Sequence, residues 1–370
     1  MEPKRHITVI ETASILVSTI IGVGVLPLPL FAVNAGDSGA PLITFVAVLF
    51  ATVGVVLIAV LGMRFPEQTI VQYGETIIGK WPGRLGSLLV IGFFAVLTSL
   101  TAREFGEVVV TAVLKKTPVE VTVIVMLLLA ALSVRNNLTT FSYIHYFYFP
   151  LLLFPALFIV ALSLKNADVQ NILPIWGNRP VGVTRGIITI TALFQGSFIL
   201  TSVIPHMRRP EYAMRASMVG MLVAGGLYVI IVAATVSVFG AEETKKLLWP
   251  TLELAKATSL PANVLERLDA AFLAVWVTAV FTTLLSSYFL TIQSASQLLK
   301  LKDHRMFSFF LLPFVFVMAM QPQNIVQMYQ IIELVGRIGL FITIAYPAML
   351  LVVSILRKKR GERVDDRSNP

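Results

Sequence analysis

Two stretches of backbone, rather than any set of reactive side chains, carry the chemistry that this chain offers. The first, Ile20-Ile21-Gly22-Val23-Gly24-Val25-Leu26-Pro27-Leu28-Pro29, interrupts an apolar segment over residues 9–31 that is otherwise long enough to cross a bilayer. Glycines two apart weaken a helix, and a proline removes a backbone donor and clashes one turn back. The second is Gln195-Gly196-Ser197, inside the apolar segment 186–207. At membrane depth a break is tolerated only where it faces protein or a watery cavity. It frees amides on one half-helix and carbonyls on the other, which suits a small zwitterion or an ion. The half-helices starting near Gly24-Val25 and near Ser197-Phe198 would aim amides at a carboxylate. Carbonyls freed around residues 21–23 and 194–195 would accept an ammonium group. A kink that serves only packing leaves the same glycine signature, so the remainder of the chain has to decide.

The expected walls are Thr98 and Ser99 on one neighbouring segment and Leu284 and Tyr288 on another. The candidate ligand-binding set is therefore Gly22, Val23, Gly24, Thr98, Gln195, Gly196, Ser197, Phe198, Leu284 and Tyr288. No Asp, Glu, Lys or Arg is expected at the level of the breaks. A charged ligand side chain would lack a partner there, which favours a small neutral amino acid over a dipeptide or a sugar. Ser286 and Ser287, with carbonyls of the first segment, would offer oxygen ligands to a sodium-like ion. Serines in such helices also bond back to their own turn.

Intramembrane charges cost about 2.5–3.5 kcal/mol each on insertion scales and mark functional candidates. Arg103, Glu104 and Glu107 share one segment, with Arg103 and Glu107 one turn apart. Glu333 and Arg337 stand at i, i+4 on another, in the favourable order. Together they read either as self-neutralising pairs or as a polar network that gates an outer vestibule. Glu11 and His145 read as interfacial. The fifth segment holds no Lys or acid between Tyr146 and Leu164, so it supplies no evident proton carrier. No nucleophile–base pair, carboxylate pair or phosphate loop is present, so neither catalysis nor a cofactor is expected. With no cysteine and four scattered histidines, no metal site is expected either.

The elements that must position these residues follow from composition. Of 370 residues 56% are hydrophobic and 13% charged, and mean hydropathy is positive, which describes an integral membrane protein. Ten spans are expected, at residues 9–31, 40–62, 84–114, 119–134, 143–164, 186–207, 216–239, 268–299, 306–320 and 325–356. With both termini in the cytoplasm, that side carries 18 of the 29 Lys and Arg, the basic tail included. The net charge of +9 therefore points to anionic lipid, not to nucleic acid. Spans one and six are both broken, three and eight both long, four and nine both short. An odd number of spans per half inverts the second half against the first. The expected fold is thus all-α, with ten transmembrane helices forming two inverted five-helix repeats over residues 1–164 and 184–356, and a tail over 357–370. Residues 67–79 should form a short amphipathic helix and 251–258 a helix within an external loop.

Several stretches together resemble the spore germination permease family, the B subunits of bacterial spore germinant receptors, within the amino acid–polyamine–organocation transporters. They are Ile21-Gly22-Val23-Gly24-Val25-Leu26-Pro27, Tyr73-Gly74 with Ile78-Gly79-Lys80, and Arg103-Glu104-Phe105-Gly106-Glu107. The last is Trp249 through Leu265-Glu266-Arg267-Leu268-Asp269, running on to Phe272 and Trp276-Val277. The resemblance implies a LeuT-like ten-span core in the inner membrane of the dormant spore. It also implies a germinant, usually a small amino acid, and work with a membrane-anchored A subunit and a lipoprotein C subunit. Three readings follow: a ligand-sensing receptor subunit, an ion-coupled amino-acid permease, and a structural scaffold that binds nothing.

Overall fold

The computed structural model describes residues 6–177, 182–258, 268–301, 303 and 305–361. Among these residues the regular structure is helical, apart from one isolated bridge between Ile7 and Met207. The helices are α1 (Val9–Ile20), α2 (Leu28–Gly36), α3 (Ala40–Arg64), α4 (Ile70–Ile78) and α5 (Lys80–Ala112). They continue with α6 (Val119–Val134), α7 (Leu138–Ser163), α8 (Val183–Ala192), α9 (Leu200–Val203) and α10 (Ala213–Thr244). The last five are α11 (Pro250–Ala257), α12 (Leu268–Leu298), α13 (Arg305–Ala319), α14 (Ile325–Leu340) and α15 (Tyr346–Leu356).

Six helical stretches are long and apolar enough to cross a membrane, and a seventh is added if α8 and the bent helical run after it count as one. The chain is a multi-pass membrane protein. Val9–Ile20, Val119–Val134 and Arg305–Ala319 are apolar but shorter. At 1.5 Å per residue, the 16 residues of α6 rise only about 24 Å. The expected helices at 67–79 and 251–258 are α4 and α11.

Local signals explain the boundaries. Thr8 and Glu11 form a reciprocal cap on α1, with the Thr8 amide donating to the Glu11 carboxylate at 2.7 Å. Glu11 is thus a capping residue. The Asn137 side chain accepts from the Thr140 amide at 2.8 Å and starts α7 well before the apolar run begins. The long α5 and α12 pack together, α10 packs on α3 and α1, and α1 also lies on α7 and α12. Glycines permit the close approaches: a Cβ at Gly220 would lie 2.6 Å from Leu16 Cδ2.

Both ends of the described chain meet at one end of the bundle. Beside the Ile7–Met207 bridge, Arg208 donates its amide to the Ile7 carbonyl at 2.9 Å. Arg64 donates to the carbonyls of Lys359 (2.8 Å) and Ser354 (3.0 Å), drawing the C-terminal segment under α3. Gly62 packs on Ile204 and joins the two clusters.

Candidate functional site at two broken helices

The first break is real. The α-helical ladder ends at Ile21, whose amide bonds to the Val17 carbonyl, and Gly22 leaves helical geometry (φ −146°, ψ −133°). A single tight turn, Val23–Val25, follows before α2 begins. The second break lies at Leu193 and Phe194. The helical run over 195–206 departs from α8 by 41°.

The two breaks touch. A Cβ at Gly24 would meet Leu193 Cδ2 at 3.0 Å, and one at Gly196 would meet the Thr19 carbonyl oxygen at 2.9 Å. Gly22 faces the other way, onto α12: a Cβ there would sit 2.2 Å from Thr283 Oγ1. Gly22 therefore lets α12 approach and does not line the space between the breaks.

That space is a cavity of about 90 Å³. A single water needs roughly 10–15 Å³ on this measure. Several water-sized groups fit, the scale of a small amino acid. The breaks contribute Thr19, Val23, Gly24, Gln195 and Gly196 to its lining. From α5 come Leu97, Leu100, Thr101 and Glu104, and from α12 Thr283, Ser287 and Leu290. Both sets follow an i, i+3 or i+4, i+7 stripe.

The wall residues expected from sequence are rotated out of this stripe. Thr98 lies behind the wall, its hydroxyl 3.0 Å from Ser287 Oγ. Leu284 is buried away from the cavity, and the Tyr288 hydroxyl donates to the Ser308 carbonyl on α13. Ser99 bonds back to the Ala95 carbonyl. Phe198 packs on Phe94 (ring centroids 5.3 Å), and the Ser197 amide bonds to the Phe194 carbonyl. The sequence defined the segments but not their rotation, and one residue turns a helical side chain by about 100°.

The expectation of an uncharged pocket is also corrected. Glu104 and Glu333 both line the cavity. Glu104 is only 3% exposed, and Tyr329 of α14 donates to its Oε1 at 3.1 Å. Tyr329 in turn accepts from Trp249 Nε1 at 2.8 Å, at the start of α11. Long side chains a turn above the breaks thus reach down to them. Arg103 points elsewhere, pairing with Glu107 at 2.7 Å and approaching Met320 Sδ. Glu333 pairs with Arg337, as its spacing predicts, and with a partner that sequence spacing could not indicate. Arg185 of α8 grips its carboxylate with two bonds of 3.1 Å. Thr189 donates to it as well, at 3.2 Å. Tyr329 bonds to Glu104 of the first cluster, and both it and Glu333 line the cavity.

A larger space of about 570 Å³ adjoins the cavity on the side away from the termini. Pro27, Phe31, Thr189, Tyr329 and Glu333 line both. Phe31 and Tyr329 meet edge to face, centroids 6.1 Å apart, as a two-ring partition.

The carbonyls of the first break are largely capped by side chains. Thr282 donates to the Ser18 carbonyl at 2.9 Å, Thr283 to Thr19 at 3.0 Å, and Tyr228 to Ile20 at 2.8 Å. Beyond the break, Thr251 of α11 donates to the Val25 carbonyl at 2.7 Å. Of the proposed ion ligands, Ser287 lines the cavity, whereas Ser286 is engaged behind it. Its hydroxyl shares a 2.7 Å bond with Thr19 and lies 2.8 Å from His145 Nε2. His145 is therefore not part of an exposed aromatic surface. It is fully buried between α1, α7 and α12, with Nδ1 donating to the Phe141 carbonyl at 2.9 Å. The early start of α7 carries it inward, a shift that the apolar run alone hides. Among the described residues no group of His, Asp and Glu could hold a metal ion.

The family profile described as "Spore germination protein" matches residues 6–328. The chain belongs to that family. Bacillus subtilis (strain 168) spore germination protein YndE is 27% identical over 362 residues, covering 98% of this chain and 99% of its own. Spore germination protein B2 of the same organism is 25% identical, with 98% and 99% covered. Among solved structures, the nucleobase-cation-symport-1 transporter Mhp1, closed around bromovinylhydantoin, superposes with a TM-score of 0.72 at 14% identity. It covers 99% of this chain and 82% of its own. MhsT in complex with L-phenylalanine gives 0.67 at 12% identity, with 95% and 89% covered. The fold is that of these transporters. Of the family-like stretches, Leu265-Glu266-Arg267 lies outside the described residues.

Proposed function

We propose that this germination protein is a germinant-sensing membrane subunit that binds a small neutral amino acid between its two broken helices. The observation that carries the reading is the cavity where Thr19, Gly24, Gln195 and Gly196 converge, with a ring partition between it and an open vestibule. Its volume admits a small amino acid, and its Leu and Val walls disfavour a sugar. The ten-span, twice-repeated topology over residues 1–164 and 184–356 belongs to this proposal. So do the spore inner membrane, cytoplasmic termini with a basic tail toward anionic lipid, and signalling to an A subunit and a lipoprotein C subunit. The two transporters of like fold were solved with small organic ligands, which supports a ligand-binding core.

An ion-coupled permease is the second reading, favoured by the fold of those neighbours and by the hydroxyls of Thr19 and Ser286 behind the cavity. Ser286 already has two partners, Thr19 and His145, which favours the sensor.

A thermal-shift screen of the purified protein against the twenty amino acids tests the reading, because a ligand of the folded state raises its apparent stability. One or a few small amino acids should raise the melting temperature, with no uptake driven by a sodium or proton gradient in proteoliposomes. Gradient-driven uptake would establish the permease instead. No saturable shift by any amino acid would leave the scaffold.

A further inference from the structure

We propose that Glu104 receives the ammonium group of the molecule bound in the cavity. The proposal rests on the amino-acid reading above and names the residue that confers it. The carboxylate lines the cavity while almost wholly removed from bulk solvent. A carboxylate in such a place needs a positive partner or several donors. Glu104 has one neutral donor, the Tyr329 hydroxyl on Oε1; Oε2 has no hydrogen-bond partner among the described residues. The nearby cations are committed elsewhere. Arg103, adjacent in sequence, is bound to Glu107, and Arg185 and Arg337 are bound to Glu333.

The alternative acceptors are weaker or taken: the Gln195 amide oxygen on the wall is unpaired but neutral. In a bare helix break, backbone carbonyls would take an ammonium group. Here the carbonyls of Ser18, Thr19 and Ile20 accept from Thr282, Thr283 and Tyr228. The open carboxylate is the strongest acceptor left on the cavity wall. A zwitterion then lies with its ammonium toward Glu104 on α5 and its carboxylate toward the break at Gly24. Once the α-ammonium occupies Glu104, a second cationic group on the ligand has no acid of its own, because Glu333 is shared by two arginines. The ligand class is a primary ammonium with a short neutral body.

Tyr329 makes the site legible outside the cavity. An ammonium on Oε2 shares the Glu104 carboxylate with the Tyr329 hydroxyl on Oε1, and that hydroxyl accepts from Trp249 at the start of α11.

The test uses the purified full-length protein and three probe sets: the twenty amino acids, short primary amines (methylamine, ethylamine), and glycolate and L-lactate, which replace the ammonium by hydroxyl. Each set is run on the natural protein, Glu104→Gln and Glu104→Asp. Gln is isosteric and keeps an acceptor for Tyr329, so the unliganded fold should melt normally. Loss of a charge-assisted bond should weaken amino-acid binding by about tenfold or more in Kd. Asp should retain part of it, and the hydroxy acids should not bind. Binding of an amino acid to Glu104→Gln within about twofold of the natural protein, or lactate matching alanine, would overturn the assignment while leaving the amino-acid reading intact. Amines that bind through Glu104 while amino acids do not would uphold the assignment and overturn that reading. Should Glu104→Gln fail to fold, the amino-acid against hydroxy-acid comparison on the natural protein still decides, and silence from all three sets overturns both.

Discussion

Tyr228→Phe removes one oxygen from the structure and leaves the rest of the packing alone. The ring is fully buried and packs on Phe194 with centroids 5.1 Å apart, a contact Phe retains. What is lost is the 2.8 Å bond to the Ile20 carbonyl. In an unbroken helix that carbonyl would serve the amide four residues on, but the break at Gly22 sends the chain away. Interhelical hydrogen bonds in membrane proteins average only about 0.6 kcal/mol, because the reference state finds other partners. A buried acceptor left unpaired costs about 1–3 kcal/mol. The break decides between the two: a carbonyl that has lost its helical amide has no fallback, so a loss of about 1–2 kcal/mol is expected. The assay is reversible unfolding in detergent, with Tyr146→Phe at a half-exposed tyrosine as the control for removing a phenol. Amino-acid affinity, measured in parallel, should fall because the end of α1 beside Thr19 is released. If Tyr228→Phe unfolds with Tyr146→Phe, within about 0.3 kcal/mol, the capped-carbonyl argument is wrong and the break is held by packing alone.

Three further outcomes follow. Gly24→Ala should be tolerated, since its Cβ meets only the tip of Leu193, and should weaken amino-acid binding by narrowing the cavity. Gly196→Ala should destabilise by about 1–3 kcal/mol, because its Cβ meets the Thr19 carbonyl and backbone has to move; melting and binding curves of the two separate these effects. Exchanging Glu333 and Arg337 by double charge reversal should not restore function, because Arg185 would then face the introduced arginine. Adding Arg185→Glu should recover it, and full recovery by the double reversal alone would count against the Arg185 contact. Thr251→Val keeps the shape of a buried side chain but strips the donor from the Val25 carbonyl. Hydrogen exchange over 250–257 should rise, and protection equal to that of the natural protein would show that α11 is not tied to the break through this bond.

Much of this site was readable from residue types. Gly22, Gly24 and Gly196 marked both breaks, because no other residue so cheaply leaves a helix at membrane depth. The Arg103–Glu107 and Glu333–Arg337 pairs followed from i, i+4 spacing, which is a local property. What was hidden depends on rotation and on distant partners. On α12 residue types point to Leu284 and Tyr288, whereas Thr283, Ser287 and Leu290 face the cavity; mixed hydroxyls and leucines on every face of α12 leave no stripe to read. The aromatics around His145 suggest an exposed belt, yet the Asn137 cap starts α7 early enough to bury it within the bundle. Arg185 is 148 residues from Glu333, and only the approach of α8 to α14 joins them. Glu104 could have been found from sequence by one question: which of three neighbouring charges lacks a partner at helical spacing? Arg103 and Glu107 satisfy each other, and Glu104 is left over.

The hydrogen bonds around the first break suggest how occupancy would travel. The half before the break is held from three sides: Thr282 and Thr283 of α12, Tyr228 of α10, and Ser18 donating to the His145 carbonyl on α7. The half after it is bonded to α11 through Thr251, and its far end to Lys245 through Asp37. The two halves therefore have different hydrogen-bond partners, although α10 packs on both, and the glycines between them offer little resistance to bending. A ligand can shift such a hinge only by its differential affinity for the two positions. On the ammonium proposal Glu104 is a source of that difference, because Tyr329, its hydrogen-bond partner among the described residues, is bonded to Trp249 at the start of α11. An ammonium group on Oε2 would change the charge that Tyr329 faces at one end of α11, while Thr251 couples the helix to the half-helix at the other. The element best placed to report a bound molecule is thus α11, bonded to the half-helix through Thr251 and to Tyr329 through Trp249.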